Sequence, residues 1–238
     1  MRSLKAPLKD WRRRRLLRRS GIAVESSAPL ETAGARSGTW AFRGDLLDER
    51  SVVYSVGVGD NVAWDLALIE RYGLTVHAFD PTPRAAAWAA GQALPAEFVF
   101  HRVGLAAYDG TQRFRVPARA SSVNFRPLPA DEGGSEPTLE LPVKRLVTLA
   151  SELGHERIDV LKLDVEGGEY ALLPDLPRDA LAPRQLLIEF HHAPNARSFE
   201  RTRLAIADLR ERGYRLAWTS PRGLEFAFVA PGRPTGAS

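Results

Sequence analysis

Cysteine is absent from the 238 residues, which excludes disulfides, a thiolate nucleophile and any cysteine-held metal, and leaves the redox compartment undetermined. Chemistry must therefore come from oxygen and nitrogen groups. No apolar run approaches the ~20 residues needed to span a bilayer, so a soluble protein is expected. Lysine is scarce: four of the 33 basic residues are Lys and the rest Arg. Aromatic residues are not interleaved among the bases in a way that favours base stacking, which argues against nucleic acid as a partner. What is present is a hydrophobic content of 44%, ample for one buried α/β core. No pattern specifies an oligomeric state.

Charge is distributed unevenly. Residues 1–19 hold nine Lys or Arg and one acid, a net +8, whereas the remainder is net −4. The stretch "KDWRRRRLLRRS" lacks the apolar segment of a secretory signal, and Leu4, Leu8, Trp11, Leu16 and Leu17 make a weak apolar stripe on a helix. Residues 1–39 read as a basic N-terminal arm, solvated, partly disordered, helical or packed, with contact to a membrane surface, nucleic acid or an acidic partner as the other uses of its charge. The expected location is cytoplasmic, or peripheral to a membrane. Residues 40–238 read as the folded domain.

From residue 51 onward, apolar runs at 52–56, 75–79, 98–102, 159–163 and 185–190 alternate with helical patterns near 61–72, 83–91, 145–153, 168–173 and 198–212. This order predicts an α/β fold: a doubly wound, Rossmann-like, mostly parallel sheet covered by helices. At the end, "YRLAWTS" and "LEFAFVA" flank "PRG", predicting an antiparallel C-terminal hairpin that brings one antiparallel strand into the sheet. The Pro-, Gly- and Ser-rich stretch 117–138 predicts a long loop or lid. Its Ser121, Ser122 and Asn124 are suited to hydrogen-bonding a polyol.

In "SVGVGDNVAWD", Gly57 and Gly59 let the backbone turn sharply and approach a ligand, with Asp60 at the entry to a helix. Asp80, in "LTVHAFDP", follows Gly59 by 21 residues, where a carboxylate at a strand end accepts from ribose hydroxyls or caps the helix after Pro81. NAD and S-adenosylmethionine both carry a ribose. Val62 stands where a dinucleotide loop has its third glycine, which weakens pyrophosphate binding and favours a sulfonium cofactor without phosphates. A dehydrogenase and a non-catalytic cofactor-binding module are the competing classes. At the third strand, His101, Arg102 and the Val103–Gly104 backbone are placed near an adenine edge, with Tyr108 and Asp109 as turn residues.

Open α/β sheets bind ligands outside the carboxyl ends of their strands. "LKLDVEGGEY" ends the fourth strand with Asp164, followed by Glu166 and Glu169, and "LLIEFHH" ends the fifth with Glu189, His191 and His192. Strand alternation points Glu189 and His191 one way and His192 the other. Acids at such turns also serve as helix caps, and single histidines are commonly structural. Asp164, Glu189 and a histidine together suit a divalent ion, although no fixed ligand spacing supports a metal.

The segments "VVYSVGVGDNVAWDLALIERYGLTVHAFDPTP", "HRVGLAAYDGTQRF", "IDVLKLDVEGGEYALL" and "QLLIEFHH" resemble the successive motifs of the FkbM-type S-adenosylmethionine-dependent methyltransferases, in order, over about residues 52–229. "LKLDVEGGEY" is the most specific part. Where many relatives read D-x-G-A-N, this chain has Ser55 in place of the acid and Val58-Gly59-Asp60 after Gly57, closer to relatives that keep G-x-G and F-D-P-T-P. The resemblance implies methyl transfer to a hydroxyl of a sugar or small natural product. Gly57, Gly59, Asp60, Asp80, Pro81, Val103, Gly104 and Asp164 would then hold the cofactor. His191 or His192 would take the hydroxyl proton, with Asp164 or Glu189 orienting it.

Overall fold

The structure, a computed structural model, describes residues 6–35, 38–119, 121–129 and 135–230. The arginine-rich segment is helical, α1 (Ala6–Arg19). Leu17 and, after the helix, Ile22 enter the main core, while Leu8 and Trp11 stay exposed; Leu4 lies outside the described residues. The chain leaving α1 is tied down as well. Glu25 exchanges hydrogen bonds with Leu216, its N–H donating to the Leu216 carbonyl (2.7 Å) and its carboxylate accepting from the Leu216 N–H (2.9 Å), and it pairs with Arg210 at 3.0 Å.

An antiparallel hairpin follows, β1 (Glu31–Ala35) and β2 (Gly38–Phe42). The boundary expected between residues 39 and 40 divides β2, and this is a correction: the hairpin belongs to the fold. Trp40 and Phe42 are buried on it, and the apolar surface they cover outweighs the weak strand preference of "ETAGA".

The next elements are β3 (Val53–Val56), α2 (Ala63–Tyr72), β4 (Val76–Phe79), α3 (Pro83–Ala90) and β5 (Phe98–His101). Gly73 ends α2 in the left-handed conformation, and Thr82 caps α3 with Pro83 in its first turn. A second sheet is then inserted, from β6 (Gly104–Leu105), β7 (Gly110–Arg115), β8 (Arg126–Pro127) and β9 (Thr138–Lys144), in the order β6-β9-β7-β8. The stretch expected as loop at 117–138 thus carries β8 and the start of β9; residues 120 and 130–134 of it lie outside the described residues. The chain continues through α4 (Leu146–Glu152), β10 (Val160–Leu163), α5 (Glu169–Leu172), β11 (Gln185–Glu189), α6 (Ala196–Glu211), β12 (Arg215–Thr219) and β13 (Glu225–Val229).

The central sheet runs β12-β13-β11-β10-β3-β4-β5. From β11 to β5 all pairings are parallel, and β13 is antiparallel to both neighbours. Every residue of β3, β10 and β11 is buried, the mark of strands covered on both faces. Side-chain alternation divides the core between those faces. Tyr54, Phe79, Leu161 and Phe226 join one cluster, and Val53, Trp40, Trp64 and Leu187 join the other.

A half-buried polar group lies on the Tyr54 face. His77 Nδ1 and His101 Nε2 share a hydrogen bond at 3.0 Å, one ring donating and the other accepting, and Tyr54 Oη and His155 Nδ1 share another at 2.8 Å. Burial, reinforced by the nearby His155 and His101, lowers the His77 pKa to about 4. His101 and His155 are lowered in the same sense, burial being the main cause.

Candidate active site

A cavity of about 440 Å³ opens at the carboxyl ends of β3, β4, β10 and β11, where an open parallel sheet places its ligands. The loop after β3 is fixed by two glycines in the left-handed region, Gly57 (φ 85°) and Gly59 (φ 55°). A Cβ on Gly57 would stand 1.7 Å from the Asp164 carbonyl oxygen, so only glycine lets this loop cross the end of β10. The Gly59 N–H donates to Asp80 Oδ2 at 3.0 Å. Asp80 Oδ1 accepts from the Thr82 N–H (2.9 Å) and hydroxyl (2.6 Å). Thr82, not Asp80, is therefore the helix cap, and Asp80 is held rigidly against the cavity wall. Asp60, Pro81 and Gly104 also line the cavity.

Three expected cofactor neighbours face elsewhere. Val103 packs its side chain against the main core, since the turn that follows β5 directs it inward and leaves only Gly104 on the cavity. His101 belongs to the half-buried histidine group and Arg102 is exposed. Tyr108 lines the cavity mouth, and Asp109 caps α4, accepting from the Arg145 N–H (2.8 Å) and the Thr148 hydroxyl (2.9 Å). Of the three polar residues expected to meet substrate, Asn124 faces the cavity. Ser121 and Ser122 do not line it; the Ser122 hydroxyl accepts from the Asn124 N–H (3.3 Å). Val123 abuts Gly59 and Pro127 abuts Gly168, so residues 123–127 bridge the cavity from one loop to the other.

The opposite wall is ionic. Glu169 is fully buried and accepts from the Gly167 N–H (2.9 Å) and the His191 N–H (2.7 Å), tying the turn after β10 to the end of β11. His191 Nε2 lies 3.7 Å from Asp164 Oδ1 and 3.5 Å from Glu166 Oε2, and its Nδ1 lies 3.6 Å from Glu169 Oε1. Glu166 itself has φ 49°, a left-handed conformation that turns its carboxylate back toward the imidazole. Burial alone would lower the His191 pKa, but the carboxylates of Glu169, Glu189 and Glu166 outweigh it and hold the pKa at about 9. Glu189 is pushed up to about 8 by burial and by the nearby Asp164 and Glu225. Arg222, from the turn between β12 and β13, reaches Glu189 at 3.3 Å and Glu225 at 2.5 Å.

His192 is a correction. It is 3% exposed, shares a hydrogen bond with the Thr202 hydroxyl through Nδ1 (3.2 Å), sets its ring edge-on to Phe199, and does not line the cavity. Burial, then Arg13, lowers its pKa to about 4. Beyond the end of β11 at Glu189, the backbone turns its side chain behind the site while His191 faces in. The trio expected for a cation is also regrouped. Asp164, Glu166 and His191 bring donor atoms within 4.8 Å of one another, whereas Glu189 turns to Arg222. With His191 protonated this trio is an imidazolium between carboxylates, and the chain supplies the balancing positive charge itself.

Sequence reading missed Trp40, Trp64, Lys162 and Arg222, all of which line the cavity. Trp40 stands at the very start of the expected domain with no motif around it, Trp64 sits on an ordinary helical pattern, Arg222 lies in a turn, and only the i, i+2 spacing of Lys162 and Asp164 on one strand face flags the lysine. Among the described residues no helix is long and apolar enough to cross a membrane. In comparisons with known proteins, residues 47–216 match the methyltransferase FkbM domain, and neither curated proteins nor solved structures give a match.

Proposed function

The chain belongs to the FkbM methyltransferase family, and from that premise we propose that it methylates a hydroxyl of a sugar or small natural product with S-adenosylmethionine as donor. The observation that carries this reading is the convergence on one cavity of the Gly57–Gly59 loop, the immobilised Asp80 and the His191 cluster. The parallel strand ends and the antiparallel β13 support reading the sheet as a doubly wound, Rossmann-like methyltransferase sheet. An NAD site has less support, because Val62, in the place of the third glycine, is packed into a core cluster where a pyrophosphate loop needs bare backbone.

The bound cofactor would supply a methyl group on a sulfonium, whose positive charge disappears on transfer. Asp80 offers its remaining lone pairs to the ribose hydroxyls, and the Gly104–Tyr108 segment borders the cavity on the side of β5. His191 Nε2 is the atom that takes the hydroxyl proton, with Asp164 and Glu166 stabilising the imidazolium that results. Glu169 fixes the ring from behind. A neighbouring sulfonium disfavours a second positive charge, so cofactor binding brings the His191 pKa down from about 9 toward neutrality. Substrate selection falls to Asn124, Phe125 and the other residues that bridge the cavity.

Incubation with methyl-labelled S-adenosylmethionine and fractionated metabolites should label a hydroxylated compound. S-adenosylmethionine at a hundred times its dissociation constant should stabilise the fold by ~2.7 kcal/mol, visible in a thermal shift. Stabilisation by NAD, with none by S-adenosylmethionine, would overturn the assignment.

A further inference from the structure

Lys162 is the one lysine of the central sheet, on β10 two residues before Asp164 and facing the cavity's inner wall. It is 4% exposed. Its Nζ donates a long hydrogen bond to Ser55 Oγ at 3.3 Å and lies 5.3 Å from the Trp40 ring centre and 5.9 Å from that of Trp64. Among the described residues no carboxylate pairs with it. Two indole faces attract a cation, yet a buried ammonium with one weak hydrogen bond leaves donor capacity unused and lacks a counter-charge, a costly arrangement unless an anion completes it.

The surroundings specify which anion. Lys162 is in register with Ser55, two residues before Gly57, so the ammonium sits beneath the glycine loop. His191, Arg222 and Glu189, which face the acceptor, lie one strand further along. Gly38 and Trp40 of the β1–β2 hairpin close this end of the cavity. Resting on the cofactor reading above, we propose that Lys162, with Ser55 and the Trp40–Trp64 pair, forms a carboxylate subsite that holds the amino-acid end of the cofactor. The ammonium meets the carboxylate, the two indoles exclude water from the pair, and the cofactor is anchored at the end opposite Asp80. A reacting methyl between two fixed ends is held in line with the acceptor.

The same chemistry would recognise a carboxylate on the acceptor, so the test separates the two sources. Binding is measured by calorimetry for S-adenosylhomocysteine and for its decarboxylated analogue, S-adenosyl-3-thiopropylamine, against wild type and Lys162→Met. Wild type should bind S-adenosylhomocysteine ~10- to 100-fold more tightly than the analogue, as a charge-assisted contact implies. Lys162→Met should lose that preference and leave the analogue's affinity unchanged. Equal weakening of both ligands makes Lys162 structural and overturns the proposal. So does a variant that keeps its S-adenosylhomocysteine affinity while the KM of the acceptor rises, which would assign the subsite to the acceptor. Should Lys162→Met fail to fold, the wild-type comparison decides alone, since equal affinity for the two ligands excludes a carboxylate subsite. Wild type that binds neither ligand removes the cofactor reading and the subsite with it.

Discussion

Two groups of histidines sit on the same sheet and come out with opposite chemistry. His77, His101 and His155 are packed against one another and Tyr54, with no carboxylate among the causes that shift them, and all three are held neutral. His191, just past the end of β11, is half-buried as they are, but Glu169, Glu166 and Asp164 surround it and it is held protonated. His192, one residue on, returns to the first behaviour because it faces Thr202 and Phe199. Burial alone therefore does not set the protonation of a histidine in this protein. The acids that strand ends and a left-handed turn bring to the ring do.

The largest effect expected from this contrast is on turnover. His191→Asn should lower kcat by ~10²–10⁴-fold with cofactor affinity retained, whereas His192→Asn and His77→Asn should change kcat by no more than a few fold. Comparable loss in His192→Asn, measured with an identified acceptor, would abolish the distinction. Next in size is the pH response. The kcat/KM for cofactor, which reports the free enzyme, should climb with pH to a plateau near 9, and kcat should reach its plateau at lower pH. A flat profile between pH 6 and 9 would remove His191 as the base. Glu169→Gln keeps an acceptor for one of the two backbone N–H groups but deletes a charge beside the ring, and should shift the kcat/KM plateau down by ~1 pH unit.

The smallest effect concerns stability. A histidine whose folded pKa lies below its unfolded value of about 6.5 contributes stability that is complete above 6.5 and is lost as pH falls toward the folded value. For His77 that window runs from 6.5 down to about 4. The melting temperature of wild type should fall by a few degrees across it, and His77→Phe should fall less steeply. Parallel curves for the two proteins would show that the histidine group is not the source.

The parallel sheet is legible in the sequence because strands such as "VVYSV", "VLKL" and "QLLIEF" are apolar throughout and separated by helical periods, a pattern that burial on both faces demands. Asp80 and Asp164 are legible for a related reason: each follows an apolar strand directly, and the fold puts strand ends at the site. The β1–β2 hairpin is not, because "ETAGA" is small and weakly strand-forming and only contact with Trp64 and Leu68 makes Trp40 and Phe42 core residues. The inserted sheet hides in a Pro-rich stretch whose strand β8 is two residues long. Nor can sequence decide between His191 and His192, since the answer depends on where β11 ends and on Glu169, 22 residues earlier, which accepts the His191 N–H.

The strand order has a consequence in time. β3 carries the glycine loop, yet its second neighbour is β10, with Lys162 lying 107 residues after its partner Ser55. The outer edge of β11 is covered only by β13, and Arg222 reaches Glu189 from the turn that precedes that strand. Distant pairings form slowly and late. A chain still emerging from the ribosome would present the glycine loop and Asp80 long before β10 and β11 could close the cavity against them, so this cavity is one of the last features of the fold to be completed.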